Sequence, residues 1–327
     1  MSTTAEQVSR RSVPDAHADA ATRRTVNIAM VSNGIIAVAK LAAGLMTGSS
    51  AMLAETAHSL ADTVNQGFLR VSLNLSAEEP TPDHPFGHGQ ERFLWTLMAA
   101  VGMFLAGAAF AVGYGIYELL HPSESKGFVP AYAVLAISFA AEGTSWLRAR
   151  RQTGAEAQEA GKSLRDYVRS SRDPNVKMVL FEDTAALAGI VIAGGGLALD
   201  QLTGSSAFDA GASVLIGLML MVVAFFIARD SRHLLLGAAA LPEERHAIEH
   251  TIECHPGIDR VQELLTLVLG PKALLVAARV DLRNDLTGDE VERISSEIEE
   301  QLRDAVPDVT EVFLDATPSR ACARAPA

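Results

Sequence analysis

The chain has 327 residues, 49% of them hydrophobic and only 6% aromatic, with a formal net charge of −12. That length allows two domains, and the excess of acid argues against a nucleic-acid partner, whose phosphates attract the opposite sign. Its two cysteines, Cys254 and Cys322, form neither a disulfide framework nor a CxxC zinc site, and no nucleotide-binding loop or nucleophile–base pair suggests an enzyme.

Residues 1–24 are polar and Arg-bearing without an apolar core, and read as a disordered arm rather than a secretory signal peptide. Apolar blocks follow, and hydropathy divides them into about six membrane-spanning segments: Val26–Met46, Ala51–Leu75, Phe93–Leu119, Val129–Leu147, Val176–Leu202 and Ala207–Ala228. The expected membrane domain, helical and embedded in a lipid bilayer, is therefore 25–232. Arg10, Arg11, Arg23 and Arg24 precede the first segment. Arg148, Arg150, Arg151, Lys162, Arg165, Arg169 and Arg172 lie between the fourth and fifth, and Arg229 and Arg232 follow the sixth. The opposite loops hold little beyond Lys126. The positive-inside rule then places both termini in the cytoplasm, in agreement with an even number of spans, and a cell (plasma or inner) membrane is expected.

Residues 233–317 have ordinary soluble composition, and 318–327 read as a disordered tail. Positions 242–320 carry eighteen acidic and eight basic residues, a net of −10, which suits a place where divalent cations arrive. Glu243–Cys254 is expected to be a helix stopped at His255-Pro256-Gly257. Val261–Leu269 and Ala273–Leu282 are apolar strand candidates joined by the turn signal Gly270-Pro271-Lys272. Thr287–Ala305 repeats apolar residues at helical spacing, and Val309–Leu314 reads as a last strand. The order αββαβ predicts a small α+β domain with helices on one face of a sheet. His246 and His250 lie one turn apart beside Glu249 and Glu253, which reads as a solvated polar face.

The chemistry is concentrated in the second span, where Glu55, His58, Asp62 and Asn65 follow one another at intervals of three, four and three residues. Those intervals place all four on one helical stripe. An ionisable group at membrane depth costs about 2.5–3.5 kcal/mol on insertion scales, so the stripe must face a wet cavity, a partner or an ion. His and Asp one turn apart are ligand types for a divalent cation, which points to ion passage. Asn33 and Lys40 in the first span are expected to hydrogen-bond neighbours rather than bind metal, since a charged lysine has no lone pair to give.

These residues resemble the cation diffusion facilitator family of divalent-metal transporters. The likeness is carried by His58-xxx-Asp62 with Asn65-Gln66, by His84-Pro85-Phe86-Gly87-His88-Gly89, by Tyr117-Glu118, and by the αββαβ domain entered through Leu236-Gly237 and Leu241-Pro242. The resemblance implies proton-coupled export of Zn²⁺ or a similar ion, a homodimer, and a ferredoxin-like cytoplasmic domain. The family's fifth span also carries His-xxx-Asp; here Asp183 holds the aspartate position, but Val179 stands where the histidine is expected and Glu182 precedes Asp183. The chain thus resembles a divergent branch with a Glu-Asp pair. The implied metal ligands are His58, Asp62 and Asp183, with Glu182, Glu55 or water as the fourth. Adjacent helical residues point about 100° apart, so Glu182 and Asp183 are not expected to bind equally. Glu55 and Glu142 are candidates for a proton-carrying or helper role. A loop site from Asp83, His84 and His88 is weighed against a Pro/Gly turn with solvated histidines. Trading imidazole for carboxylate shifts preference toward Mn²⁺ or Fe²⁺. The expected function is efflux of a divalent transition metal, zinc first, by antiport with protons. A manganese- or iron-preferring exporter, a non-transporting membrane partner and a passive channel are the alternatives.

Overall fold

The computed structural model describes residues 16–122 and 127–317; the expected tail, Cys322 and Lys126 lie outside them. Helix α1 (Ala16–Thr47) begins inside the stretch expected to be a disordered arm. Residues 16–24 are helical because four of the nine are alanine, the best helix former, and extending an existing helix carries no nucleation cost. Residues 1–15 lie outside the described part.

The chain divides into two compact units at 78/79, 93/94 and 231/232. The helices continue with α2 (Ser50–Leu75), α3 (Glu91–Gly102), a π-helical turn at Met103–Ala109, α4 (Phe110–Leu120), α5 (Phe128–Glu159), α6 (Leu164–Ser170), α7 (Pro174–Thr203) and α8 (Ala207–Leu235). Six long helical stretches thus correspond to the six expected spans. Among the described residues, four of them are long and apolar enough to cross a membrane: within α1, from α3 through α4, and in α5 and α8. The two that fall short, α2 and α7, carry the ionisable residues of the candidate site. In the first unit α2 packs against α1, the π turn, α4 and α7. Small residues such as Ala51, Ala54, Ala108 and Ala185 are buried there and let the helices approach closely. The outward faces expose Val31, Ile35, Val38, Leu45 and Phe225. Such surfaces are expected where the surrounding solvent is lipid.

The second unit holds α9 (Pro242–Glu253), β1 (Ile258–Gly270), β2 (Ala273–Leu282), α10 (Gly288–Ala305) and β3 (Val309–Ala316), the expected αββαβ order. Its sheet runs β1–β2–β3, with β1 and β2 antiparallel and β2 and β3 parallel. Helix α9 starts at Pro242, with Glu244 accepting the Leu241 N–H at 2.8 Å. Helix α10 starts with a capping box in which Glu290 Oε2 accepts the Thr287 N–H at 2.7 Å. Ile294, Ile298 and Leu302 form its buried stripe and meet Ile248, Ile252, Val268, Leu274 and Val276. Phe93, expected to open the third span, is fully buried in this same core. The unit therefore contains residues 79–93 as well as the soluble segment.

Candidate metal centre

Helix α2 is capped by Ser49, whose Oγ accepts the Met52 N–H at 3.1 Å. Its polar stripe is wholly internal: Glu55, His58 and Asn65 are fully buried and Asp62 is 4% exposed. His58 Nδ1 lies 3.3 Å from Asp62 Oδ1. Neither ring nitrogen of His58 has an aligned hydrogen-bond partner, so the imidazole keeps its lone pair available. From α7, Glu182 accepts the Asn65 Nδ2–H at 2.9 Å through Oε1 and comes within hydrogen-bonding reach of the Asp62 carboxyl. One imidazole and two carboxyl groups from neighbouring helices thus lie in one region inside the bundle, paired through Asp62.

Asp183 takes the other direction. Its carboxyl lies near the Ser145 hydroxyl on α5, and its buried Oδ2 has no hydrogen-bond partner. The helical offset of about 100° between adjacent residues separates the two acids, with Glu182 toward α2 and Asp183 toward α5. Glu142, also on α5 and 6% exposed, lies within electrostatic range of Asp62, Glu182 and Asp183. Among the described residues no three His, Cys, Asp or Glu side chains converge tightly enough to hold a metal ion. The donors fit a divalent cation in kind, and closing them on one requires side-chain movement.

Glu55 is engaged elsewhere. The fully buried Lys40 of α1 places Nζ 2.9 Å from Glu55 Oε2 and 2.8 Å from Ser59 Oγ. The expectation that Lys40 bonds a neighbour is met by this ion pair. Gly189 of α7 leaves the space that Glu55 fills, since a Cβ there would sit 2.2 Å from Glu55 Oε1. No sequence signal singles out Gly189 or Ser145 among similar residues nearby.

At the other end of α2, Asp209 of α8 supplies a cap that sequence reasoning missed. It is 2% exposed and accepts from Ser49 Oγ at 2.7 Å, Ser50 N–H at 2.6 Å, Ser50 Oγ at 2.9 Å and Ala51 N–H at 3.3 Å. A carboxylate at a helix N-terminus satisfies orphan donors and the dipole together. The available signal was an acid near the start of an apolar span, with a Ser-Ser pair at the start of another.

The loop histidines belong to the second unit. The His84 and His88 rings lie 4.6 Å apart, and His88 keeps a buried Nδ1 without a partner, while Asp83 is exposed. Gly87 has φ +82°, a left-handed conformation that favours glycine. A Cβ on Gly89 would lie 2.6 Å from the Leu269 carbonyl oxygen, and the Phe86 ring meets Phe313 edge-on at 6.5 Å. The loop therefore lies on the β1 end and β3 of its own unit. Elsewhere in the soluble segment, Cys254 Sγ approaches His250 Nε2 to 3.6 Å at the end of α9. His255 is buried: Nδ1 accepts the Gly257 N–H at 3.2 Å, leaving Nε2 to donate to Glu297. That bond holds the Glu297 carboxyl below the usual carboxylate range.

Residues 26–236 match the family description "Cation efflux transmembrane domain", and 240–319 match "Cation efflux protein, cytoplasmic domain". The chain is 32% identical over 297 residues to the Mus musculus "Proton-coupled zinc antiporter SLC30A9, mitochondrial", covering 89% of this chain and 52% of that protein. It is 31% identical to the Arabidopsis thaliana "Metal tolerance protein C4", covering 87% of this chain and 61% of that protein. Identity to the Bacillus subtilis "Manganese efflux system protein MneP" is 26%, over 90% of this chain and 96% of that protein. The chain spans about half the length of the mouse relative. With two adjoining family matches covering most of its length, and a polar cluster enclosed by the matched helices, the chain belongs to the cation efflux family.

Proposed function

We propose that this chain exports a divalent transition metal, zinc first, across a membrane in exchange for protons. The observation that carries the reading is the closeness of the Asp62 and Glu182 carboxyls beside an imidazole whose ring nitrogens have no hydrogen-bond partner. Two carboxyl groups in such contact need a proton shared between them or a cation bridging them. Metal ligands must be deprotonated to bind, so protons and the transported ion compete for one place. His58, Asp62 and Glu182 are the first ligands of the ion; Asp183 joins them when α7 turns. Glu142 relays protons within the cluster. If the site faces each side of the membrane alternately, inward proton flow drives metal outward.

The reading includes a membrane domain over 25–232, a cytoplasmic domain over 233–317, both termini in the cytoplasm of a cell membrane, and pairing of two copies through the soluble domain. A domain this small gains buried surface from pairing even though its net negative charge opposes it, and one matched relative is named a proton-coupled zinc antiporter. Preference for Mn²⁺ or Fe²⁺ is the second reading. It is favoured by Glu182 standing beside Asp62, where a second imidazole would make the site softer, and by the likeness to a protein named a manganese efflux system.

Reconstitution tests the proposal. In proteoliposomes an imposed pH gradient is expected to drive zinc uptake, and Asp62→Ala to abolish it in a protein that still elutes as a folded species. Flux indifferent to the gradient indicates a passive channel; zinc binding without flux indicates a non-transporting partner. Either result sinks the antiport reading.

A further inference from the structure

We infer that Lys40 determines metal preference as a positioning residue: by holding Glu55, it keeps a third carboxylate out of the shell around the transported ion. This rests on the reading that His58, Asp62 and Glu182 form that shell.

Glu55 is built into the wall of the site. It stands three residues before His58, so it shares the stripe that carries His58 and Asp62. It is fully buried, and its Oε1 has no hydrogen-bond donor. It also lies within electrostatic range of Glu142, which is in turn within such range of Asp62 and Glu182. By position and chemistry Glu55 is a ligand in waiting. What removes it is Lys40, fully buried and anchored at 2.9 Å to Glu55 Oε2 and at 2.8 Å to Ser59 Oγ. A lysine at this depth is costly and could be dispensed with if its only role were to join α1 to α2, since apolar packing does that elsewhere in the bundle. Charge separates the two roles. A purely mechanical staple affects folding and treats all ions alike. A residue that sequesters an oxygen ligand changes the ranking of ions, because added carboxylate favours harder Mn²⁺ over Zn²⁺.

The test is a binding competition between Zn²⁺ and Mn²⁺ on the purified full chain in detergent, with size-exclusion profiles to verify folding. In Lys40→Met the ammonium is gone and Glu55 is released, and the manganese-to-zinc affinity ratio is expected to rise about tenfold. Loss of a nearby positive charge tightens both ions together, so the ratio isolates the ligand effect. In Lys40→Met/Glu55→Gln the ratio is expected to return to its original value, because the released carboxylate is absent. Should Lys40→Met fail to fold, Lys40→Leu removes the same charge and likewise offers Glu55 no hydrogen bond. An unchanged ratio in a folded Lys40 variant, or a ratio still raised in the double variant, overturns the inference. Zinc binding that survives Asp62→Asn overturns instead the site on which it rests.

Discussion

Glu182→Gln is expected to lower pH-driven zinc uptake by at least about 100-fold, whereas Asp183→Asn lowers it by about 10-fold to 100-fold. The difference comes from where the two side chains go. Glu182 lies beside Asp62 and is held by Asn65 at 2.9 Å, at the place proposed for the exchange of proton and metal ion. Glutamine keeps the size and the bond to Asn65 through its carbonyl oxygen, but offers no carboxylate to the ion. Asp183 lies near Ser145 on the α5 side, and in the proposed cycle it reaches the ion only after α7 turns. Uptake into proteoliposomes under one fixed pH gradient measures both variants. Equal losses would place the acids in equal roles. A greater loss in Asp183→Asn would give the site to Asp183 and reduce Glu182 to a helix–helix bond.

The largest stability effect is expected at Asp209. Its carboxylate receives four donors from Ser49, Ser50 and Ala51, all buried. Asp209→Ala strands these donors at the start of α2, and each buried unpaired donor costs about 1–3 kcal/mol. Some hydroxyls can turn to a carbonyl, so the net loss is on the order of 4 kcal/mol, comparable to a strong cap and its charge removed together. At about 2–4 °C per kcal/mol, Tm in detergent falls by about 8–16 °C. Asp209→Asn keeps acceptor capacity at one oxygen and is expected to lose less than half as much. Since α2 carries His58 and Asp62, metal affinity should weaken in Asp209→Ala only as the protein loosens. A Tm within 2 °C of the parent, roughly one assay error, would show that α2 is held by its packing alone.

How much of this was readable in the residues depended on the range of the interaction. The stripe of α2 was readable because a helix places residues three and four apart together, and a charged stripe in an apolar run has few explanations. The αββαβ order was readable from periodicity and turn signals, and the structure has those elements within a few residues of the expected bounds. Which of Glu182 and Asp183 faces α2 was not readable, because the rotation of α7 is set by packing against α2 and α5 rather than by its own sequence. The cap between Asp209 and Ser50 joins residues 159 apart, and no local rule links them. The placement of residues 79–93 with the soluble unit was hidden for a similar reason. Gly89 and Phe86 read as turn residues until their neighbours at Leu269 and Phe313 are known. The helical start at Ala16 is hidden by a polar composition that masks the helix propensity of its alanines.

Proton release on metal binding tests the central claim most directly. Purified protein in weakly buffered detergent solution, titrated with zinc at neutral pH, is expected to release roughly one or more protons per bound ion. Asp62→Asn and Glu182→Gln should each remove that release together with the binding that causes it. Zinc bound at full stoichiometry with no proton released, or with release untouched in both variants, would mean that ion and proton do not share a place between these two carboxyls.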